Sequence, residues 1–372
     1  MEKTDKSNLA DASTALSKTA SGHGAATFVE RFILAFRLPY VLGCIVVGFG
    51  LFGVLDVALS AYATNGDLSA AMAKAKAPNS LLTDLLVTYS FYAPRFMRER
   101  LEEAGRSLAS LLPDREEGFR RIFGRLASPR PQVITWIVFL VALLLAVNFS
   151  AIVGVAPPSI QFNAGPGSAL EFFAGAYDIL SVAVATLGLS SVVWAYWSIT
   201  RGIHRFGDSP LQLRPYYEDA FAGLRPVGAL ALSLDFAYFV FIGLFMLVVF
   251  ASPSAPTTAD IIGIGGFLSG LIVIGLALFF LPLRRLHQRM VGQKLDEKGR
   301  LRPKLAALFE DRSARNDSGD LGYMFRLDMM DRKVSSMAVW PFDVGILGRL
   351  SAIALSVIAI LISRIAALIL HI

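Results

Sequence analysis

Two long apolar runs, residues 226–250 and 259–283, constrain this chain more than any other feature, and a short Pro-rich turn joins them. Each run is long enough to cross the roughly 30 Å hydrocarbon core of a bilayer as a helix rising about 1.5 Å per residue. The turn carries no Lys or Arg, whereas the exit after residue 283 is strongly basic. Because Lys and Arg collect on the cytoplasmic side, this pattern predicts a membrane hairpin whose exit is cytoplasmic.

The composition agrees with a membrane protein. Of the 372 residues 55% are hydrophobic and only 17% are charged, and the apolar residues gather in runs of 20 or more. Such a chain is predicted to be an all-α polytopic membrane protein, which excludes a soluble globular domain. The net charge of +6 lies mostly at the ends of the runs. Anionic lipid headgroups account for that placement, so no nucleic-acid partner is predicted.

The apolar runs predict a bundle of six transmembrane helices with short amphipathic cytoplasmic helices between them. The predicted spans are 39–62, 132–155, 173–200, 226–250, 259–283 and 344–370. The basic residues give the last five spans alternating directions, which predicts an extracytoplasmic C-terminus. The predicted location is the inner (plasma) membrane of the cell. Segment 81–93 is short and contains Asp84, which favours six spans and an outer N-terminus. The alternative is that it crosses, which gives seven spans and an inner N-terminus.

The predicted organisation has five parts. They are a mobile tail (1–27), a first span with an interfacial or cytoplasmic amphipathic region (28–131), a four-helix core of two hairpins (132–290), a cytoplasmic segment (291–340) and a C-terminal helix (341–372). The fifth span is expected to continue beyond the membrane until Gly299 and Pro303 end it.

An amphipathic helix is predicted to start after Asp114, with Glu117 completing a capping box. It places four apolar side chains on one face, namely Phe119, Ile122, Phe123 and Leu126. Two interpretations remain open: the helix lies on an anionic membrane surface, or it docks on another cytosolic segment.

The two hairpins resemble each other. Laying 177–205 on 259–289 brings Arg201 and His204 onto Arg284 and His287 with one inserted residue. If the match reflects duplication, the hairpins form a parallel repeat, an arrangement that places binding sites at the repeat junction in some transporters. The alternative is a chance match between apolar sequences. Both histidines follow Arg clusters, which predicts solvated side chains near headgroups and no metal site.

Charged residues inside apolar spans are the candidates for an ion or solute path, because each costs roughly 2.5 to 3.5 kcal/mol at mid-membrane. Asp235 is the deepest, and Asp56 and Arg364 are the others. Arg364 is expected either to pair with Asp235 or Asp56 or to extend toward the membrane surface. The alternative role for Asp235 is a structural polar contact.

Two further groups of residues are predicted to have roles in the membrane. Small residues in the fifth span are expected to serve as a helix-packing face or a hinge; they are Gly263, Gly265, Gly266 and Gly270. Arginines at the cytoplasmic surface are expected to bind anionic lipid; they are Arg120, Arg121, Arg125, Arg284 and Arg285.

No catalytic motif occurs in the sequence: there is no Walker loop, nucleophile elbow, zinc-binding His-Glu-x-x-His or Cys-x-x-Cys. The one cysteine, Cys44, is predicted to pack. No catalytic residue, metal or cofactor is therefore predicted. The predicted function is a channel or transporter for an ion or small solute. The alternative is a sensor or assembly subunit that binds a cytoplasmic protein through its basic segments, and a homo-oligomer is compatible with either.

Overall fold

The computed structural model describes residues 26–55, 57–58, 61, 78–147, 169–215, 218–251, 258–314 and 321–370. These residues form ten α-helices, one π-helical stretch, two short 3-10 helices and no strand. The helices are α1 (Phe28–Leu34), α2 (Tyr40–Ile45), α3 (Pro78–Leu108), α4 (Arg115–Phe123), α5 (Pro129–Val147), α6 (Ala169–Asp208), α7 (Arg225–Phe250), α8 (Thr258–Ala314), α9 (Leu321–Ser335) and α10 (Val344–Leu370). The predicted all-helical class is confirmed for these residues. The predicted tail lies almost entirely outside them.

Five helices in the described part of the chain are long and apolar enough to cross a membrane: α5, α6, α7, α8 and α10. They correspond to the last five predicted spans. The first predicted span appears as a shorter apolar segment, in which α2 continues into a π-helical stretch over Val46–Val54. Half of the remaining residues of that span, 55–62, lie outside the described residues, and the count of six or seven spans stays a prediction.

Side-chain contacts bring the basic ends of these helices together. Arg225, at the start of α7, donates to Asp343 just before α10 at 2.7 Å. Arg289 of α8 donates to the carbonyl oxygens of Asp208 and Ser209, where α6 ends. We call this side of the bundle the arginine-rich end. The relative directions of α6, α7, α8 and α10 agree with the predicted alternation.

Helix α3 lies in the middle of the bundle although its hydropathy is too low to mark it as a span. Its 31 residues pack along both α6 and α7. The Tyr89 hydroxyl donates to the Ala237 carbonyl oxygen at 3.0 Å, and the ring of Phe96 contacts that of Phe236. The side chains of Phe91 and Met97 are fully buried. The apolar face of α3 therefore meets other helices, while its remaining faces keep polar residues that lower its mean hydropathy.

Helix α4 docks on the protein, which decides between the two interpretations of its apolar face. Phe119 lies against Gly105 of α3, and Phe123 lies against Gly202 of α6, where a Cβ atom would come within 2.4 Å of its ring. The helix begins at Arg115 as predicted, but the capping box is wrong: the Asp114 side chain caps no N–H and accepts from Arg121 at 3.5 Å.

Helix α8 continues for 57 residues, about 85 Å at the usual helical rise, to Ala314. The prediction that Gly299 and Pro303 end it is wrong. The reason is tertiary packing, because the extension forms an antiparallel pair with α9 around three buried residues, namely Leu301, Leu327 and Val334. Packing of this kind overrides the weak local preference against Gly and Pro.

Residues 336–343, which link α9 to α10, are held against α8 and α7, and we call them the strap. The Lys294 ammonium group donates to the carbonyl oxygens of Ser335 and Met337, both at 2.7 Å. His287 Nδ1 lies 2.7 Å from the Val339 carbonyl oxygen, and its ring stacks on Trp340 with centroids 4.0 Å apart. The strap thereby connects the α8–α9 pair to the bundle.

Candidate functional site

Asp235 lies on the buried face of α7 and is the least satisfied polar residue in the described part of the chain. Its side chain is 0% exposed, and neither carboxyl oxygen has a hydrogen-bond partner among the described residues. An unpaired carboxylate in an apolar interior costs several kcal/mol, so such groups normally hold a proton, a cation or water. Asp235 is therefore the candidate for a binding group among the described residues.

Tyrosines from three helices surround this level of the bundle. Tyr196 of α6 and Tyr238 of α7 are within electrostatic range of the Asp235 carboxyl group, and their ring centroids are 6.1 Å apart. The Tyr238 hydroxyl donates its proton to the Leu271 carbonyl oxygen at 2.9 Å. The Tyr89 hydroxyl, as described above, is likewise occupied by a backbone carbonyl. Tyr196 is thus the tyrosine near Asp235 whose hydroxyl is not committed to a carbonyl.

A second buried carboxyl group, Asp84, lies in α3 and is 3% exposed. One of its oxygens would lie 3.0 Å from a Cβ atom on Gly53, so Asp84 faces the π-helical stretch after α2. Unlike Asp235, Asp84 has an interaction partner. Asp84 and Asp235 are therefore two buried acidic residues with different environments.

The other predicted path residues do not join Asp235. Asp56 lies outside the described residues. Arg364 of α10 is exposed and forms no ion pair with any of the described residues. Of the alternatives for Arg364, the pairing with Asp235 is not formed, because the Arg364 side chain is exposed while that of Asp235 is enclosed.

Most of the predicted glycine face of α8 contacts no other described helix. Gly265 is buried, and a Cβ atom there would lie 3.2 Å from Ile365 of α10. Gly263, Gly266 and Gly270 are exposed, with nothing within 4 Å of a Cβ atom. The helix is continuous at these residues, and their role as a hinge stays a prediction.

Two glycines that accommodate neighbouring helices, Gly188 and Gly275, were not predicted from the sequence. Gly188 of α6 accommodates Ser90 and Phe91 of α3, and Gly275 of α8 accommodates the Tyr238 ring. Each allows a close approach that a Cβ atom would block. Sequence spacing gave no signal for them, because neither belongs to a Gly-x-x-x-Gly element.

The five arginines predicted to bind lipid are all exposed at the arginine-rich end; they are Arg120, Arg121, Arg125, Arg284 and Arg285. Three of them have only long ion pairs, with Glu116, Asp114 and Asp208 at 3.8, 3.5 and 3.8 Å. Exposed pairs of this length contribute little to stability. These guanidinium groups are therefore available to anions.

Asp343 of the strap and Lys294, the α8 residue that donates to the carbonyl oxygens of Ser335 and Met337, both have shifted pKa values. The Ile346 backbone N–H and the Arg225 guanidinium group, which both donate to Asp343, lower the pKa of its carboxyl group. Burial, together with the nearby Lys298, lowers the pKa of Lys294. Asp343 caps the start of α10, so the same carboxylate joins the strap, α7 and α10.

Within the described ranges, no group of three or more His, Cys, Asp or Glu side chains is placed to hold a metal ion. Comparison of the chain with protein-family models, curated protein sequences and solved structures returns no match.

Proposed function

We propose that this protein is a multi-pass protein of the inner (plasma) membrane that passes an ion or small solute through its helical bundle, with Asp235 as the group that binds it. The observation that carries the proposal is the Asp235 side chain, which is fully buried in an apolar helix with both oxygens unpartnered. A charged or protonatable group at that depth is retained at a cost, and in membrane proteins such groups mark ion and proton paths.

The helix contacts favour seven crossings over six. Tyr40 donates to the Phe91 carbonyl oxygen, and a Cβ atom on Gly53 would meet Asp84, so α2 and its π-helical continuation run antiparallel to the first half of α3. At Tyr89, α3 lies at the same level as Ala237 of α7. In this arrangement both segments cross the bilayer, the N-terminus lies with the arginine-rich end in the cytoplasm, and the C-terminus is extracytoplasmic.

The test is ion flux through the purified chain in liposomes, measured separately for H⁺, Na⁺ and K⁺. The wild-type chain is expected to conduct at least one of them. Asp235→Asn keeps the shape of the side chain and removes its ionisable group, and it is expected to reduce that flux to the background of empty liposomes. Asp235→Glu is expected to retain a measurable part of the flux.

Ser233→Ala is the matched control, because Ser233 lies two residues away on α7 and its hydroxyl donates only to the Ala229 carbonyl oxygen of its own helix. It is expected to conduct like the wild type. Equal thermal unfolding temperatures of the three variants and the wild type show that flux differences are not folding differences. Wild-type flux in Asp235→Asn would overturn the proposal.

A second candidate function is favoured by one observation on α9. Phe325 and Met329, spaced four residues apart, are 65% and 55% exposed on the α8–α9 pair. Exposed apolar side chains on one helical face mark interaction sites, and this pair would serve a sensor or assembly subunit that captures a protein. Under that function, replacing both by Ser abolishes partner capture while Asp235→Asn has no effect. A second copy of the chain is a further candidate occupant.

Anionic lipid is the other proposed partner of the arginine-rich end. Changing Arg120, Arg121 and Arg125 together to Gln is expected to weaken association with vesicles containing anionic lipid more than with neutral vesicles. Equal binding of wild type and triple variant to anionic vesicles would exclude that role.

A further inference from the structure

Four polar residues of α6 recur at intervals of four between the level of Asp235 and the arginine-rich end: Tyr196, Thr200, His204 and Asp208. Residues four apart in a helix are neighbours on one face. The four therefore form a continuous line about 18 Å long, which we call the polar stripe. Its position links the buried carboxyl group to the surface.

The inner end of the polar stripe meets the proposed binding group. Tyr196 is buried and lies within electrostatic range of Asp235. One and two turns further inward along the same line are Val192, which is apolar, and Gly188, which is covered by Ser90 and Phe91 of α3. The stripe therefore reaches Asp235 from one side of the bundle.

The middle of the polar stripe contains a second unsatisfied group. The Thr200 Oγ1 atom is buried and has no hydrogen-bond partner among the described residues. Thr200 lies one turn from Tyr196 on α6, and Tyr196 lies within electrostatic range of Asp235. Buried polar groups without protein partners, such as the Thr200 hydroxyl and the Asp235 carboxyl group, are commonly satisfied by ordered water.

The outer end of the polar stripe is open to solvent. The His204 and Asp208 side chains are 46% and 52% exposed, and His204 Nε2 lies 4.0 Å from Asp208 Oδ2. Arg285 of α8 lies 3.8 Å from the other Asp208 oxygen. An imidazole can take a proton at one ring nitrogen and release it from the other, which suits the entrance of a proton path.

We propose that the transported species is the proton and that the polar stripe is its route between the arginine-rich end and Asp235. This inference rests on the proposed function. A proton taken up by His204 passes through water and the hydroxyl groups of Thr200 and Tyr196 to the Asp235 carboxylate, while each relay group ends with the number of protons it began with. A metal cation would need several oxygen ligands around it. The side chains of the stripe instead offer isolated hydroxyl, imidazole and carboxyl groups, which all exchange protons.

The first test is proton flux in liposomes loaded with a pH-sensitive dye. His204→Gln and Thr200→Val are each expected to slow proton flux about tenfold or more, because one relay group is lost. Thr200→Ser restores the hydroxyl and is expected to conduct like the wild type. The matched control is His287→Gln: His287 occupies the equivalent position on α8, but it lies under Trp340 and away from the stripe.

The second test measures water access directly. In a Cys44→Ser background, which removes the only cysteine, a small hydrophilic thiol reagent is expected to modify Thr200→Cys from the arginine-rich side. Trp197→Cys, at a similar depth but on an exposed outer face (57%), is expected not to react, because lipid surrounds it.

The outcomes separate this inference from the function on which it rests. Wild-type proton flux in both His204→Gln and Thr200→Val, with no flux in Asp235→Asn, overturns the route and leaves the proposed function standing. Flux of Na⁺ or K⁺ that depends on Asp235, without proton flux, overturns the assignment of the proton. An unreactive Thr200→Cys also overturns the aqueous route. Wild-type flux in Asp235→Asn overturns both proposals.

Discussion

Helices α6 and α8 carry the same local sequence, Arg-x-x-His, at the arginine-rich end, but the two histidines have different surroundings. His204 of α6 is half-exposed beside Asp208. His287 of α8 is stacked on Trp340 and bonded to the Val339 carbonyl oxygen. The difference extends into the bundle: Tyr196 and Thr200 of α6 correspond in spacing to Phe279 and Leu283 of α8, which are fully buried.

This comparison shows that one helical signature can serve two purposes, depending on what packs over it. On α8 the strap covers the histidine and the line below it is apolar, so the helix holds the strap in place. On α6 no described residue covers the histidine in the same way, and the line below it is polar. The residues at four and eight positions before each histidine therefore distinguish a proposed conducting line from a packing line, whether or not the two helices arose by duplication.

Exchanging these lines gives the largest expected effect. The double variant Tyr196→Phe, Thr200→Leu places the apolar line of α8 on α6 and is expected to abolish proton flux, because both hydroxyl groups are lost. Tyr196→Phe removes only a hydroxyl group, and Thr200→Leu enlarges a side chain that is only partly buried, so the chain should remain folded. Proton flux in liposomes and thermal unfolding in detergent check the two parts. Retention of wild-type flux would remove the functional distinction between the helices.

Loss of the strap's aromatic anchor is the next largest effect. Trp340 contacts His287, Phe280 and Phe342. Trp340→Ala is expected to lower the free energy of unfolding by about 3 kcal/mol, since a large aromatic contact and its packing are removed. Trp197→Ala, on the exposed face of α6, serves as the control and should change it much less. Equal effects of the two variants would show that the strap is not anchored through Trp340.

The third test concerns the contact between α4 and α6, where Phe123 of α4 lies against Gly202 of α6. Gly202→Ala is expected to destabilise the chain by about 1 to 3 kcal/mol, because the new Cβ would collide with Phe123. Gly270→Ala, where nothing lies within 4 Å, should be neutral or stabilising by up to about 1 kcal/mol. If Phe123→Ala fails to relieve the cost of Gly202→Ala, the collision is not its cause.

Lys294 tests the other end of the strap. Its two hydrogen bonds to Ser335 and Met337 join α8 to the end of α9. Lys294→Met should lower the free energy of unfolding by about 1 kcal/mol and speed proteolysis within 336–343. Lys298→Met, four residues further along α8, is the control for loss of a positive charge. Equal proteolysis rates in the two variants would show that the hydrogen bonds of Lys294 do not hold the strap.

The smallest expected effect is the loss of stability at low pH through Asp343. Because the pKa of Asp343 is lowered in the folded protein, its carboxylate stabilises the strap fully above the ordinary pKa of Asp, and this contribution is lost as pH falls through the lowered value. The unfolding temperature of the wild type should therefore exceed that of Asp343→Asn at neutral pH, and the gap should close at low pH. A gap that does not change with pH would exclude this carboxylate as the titrating group.

The sequence predicts most of the helical architecture and less of the site. Runs such as 226–250 identify spans because only a helix satisfies backbone polar groups in lipid. The hydropathy of α3 did not identify it as a buried helix, because its burial depends on α6 and α7. Helix α8 continues past Gly299 and Pro303 because α9 packs against it. Asp235 was identifiable as a charge within an apolar run. Its unsatisfied state, the role of Gly202 and the covering of His287 depend on partners far away in the chain.

The most direct measurement of the central claim is an experimental density map of the protein in a lipid disc, at a resolution that shows ordered water. We predict water density at the Asp235 carboxyl group that continues past Thr200 to His204 at the arginine-rich end. A dry contact in which apolar side chains enclose both Asp235 oxygens and the Thr200 hydroxyl, with no water reaching either residue, would contradict the claim.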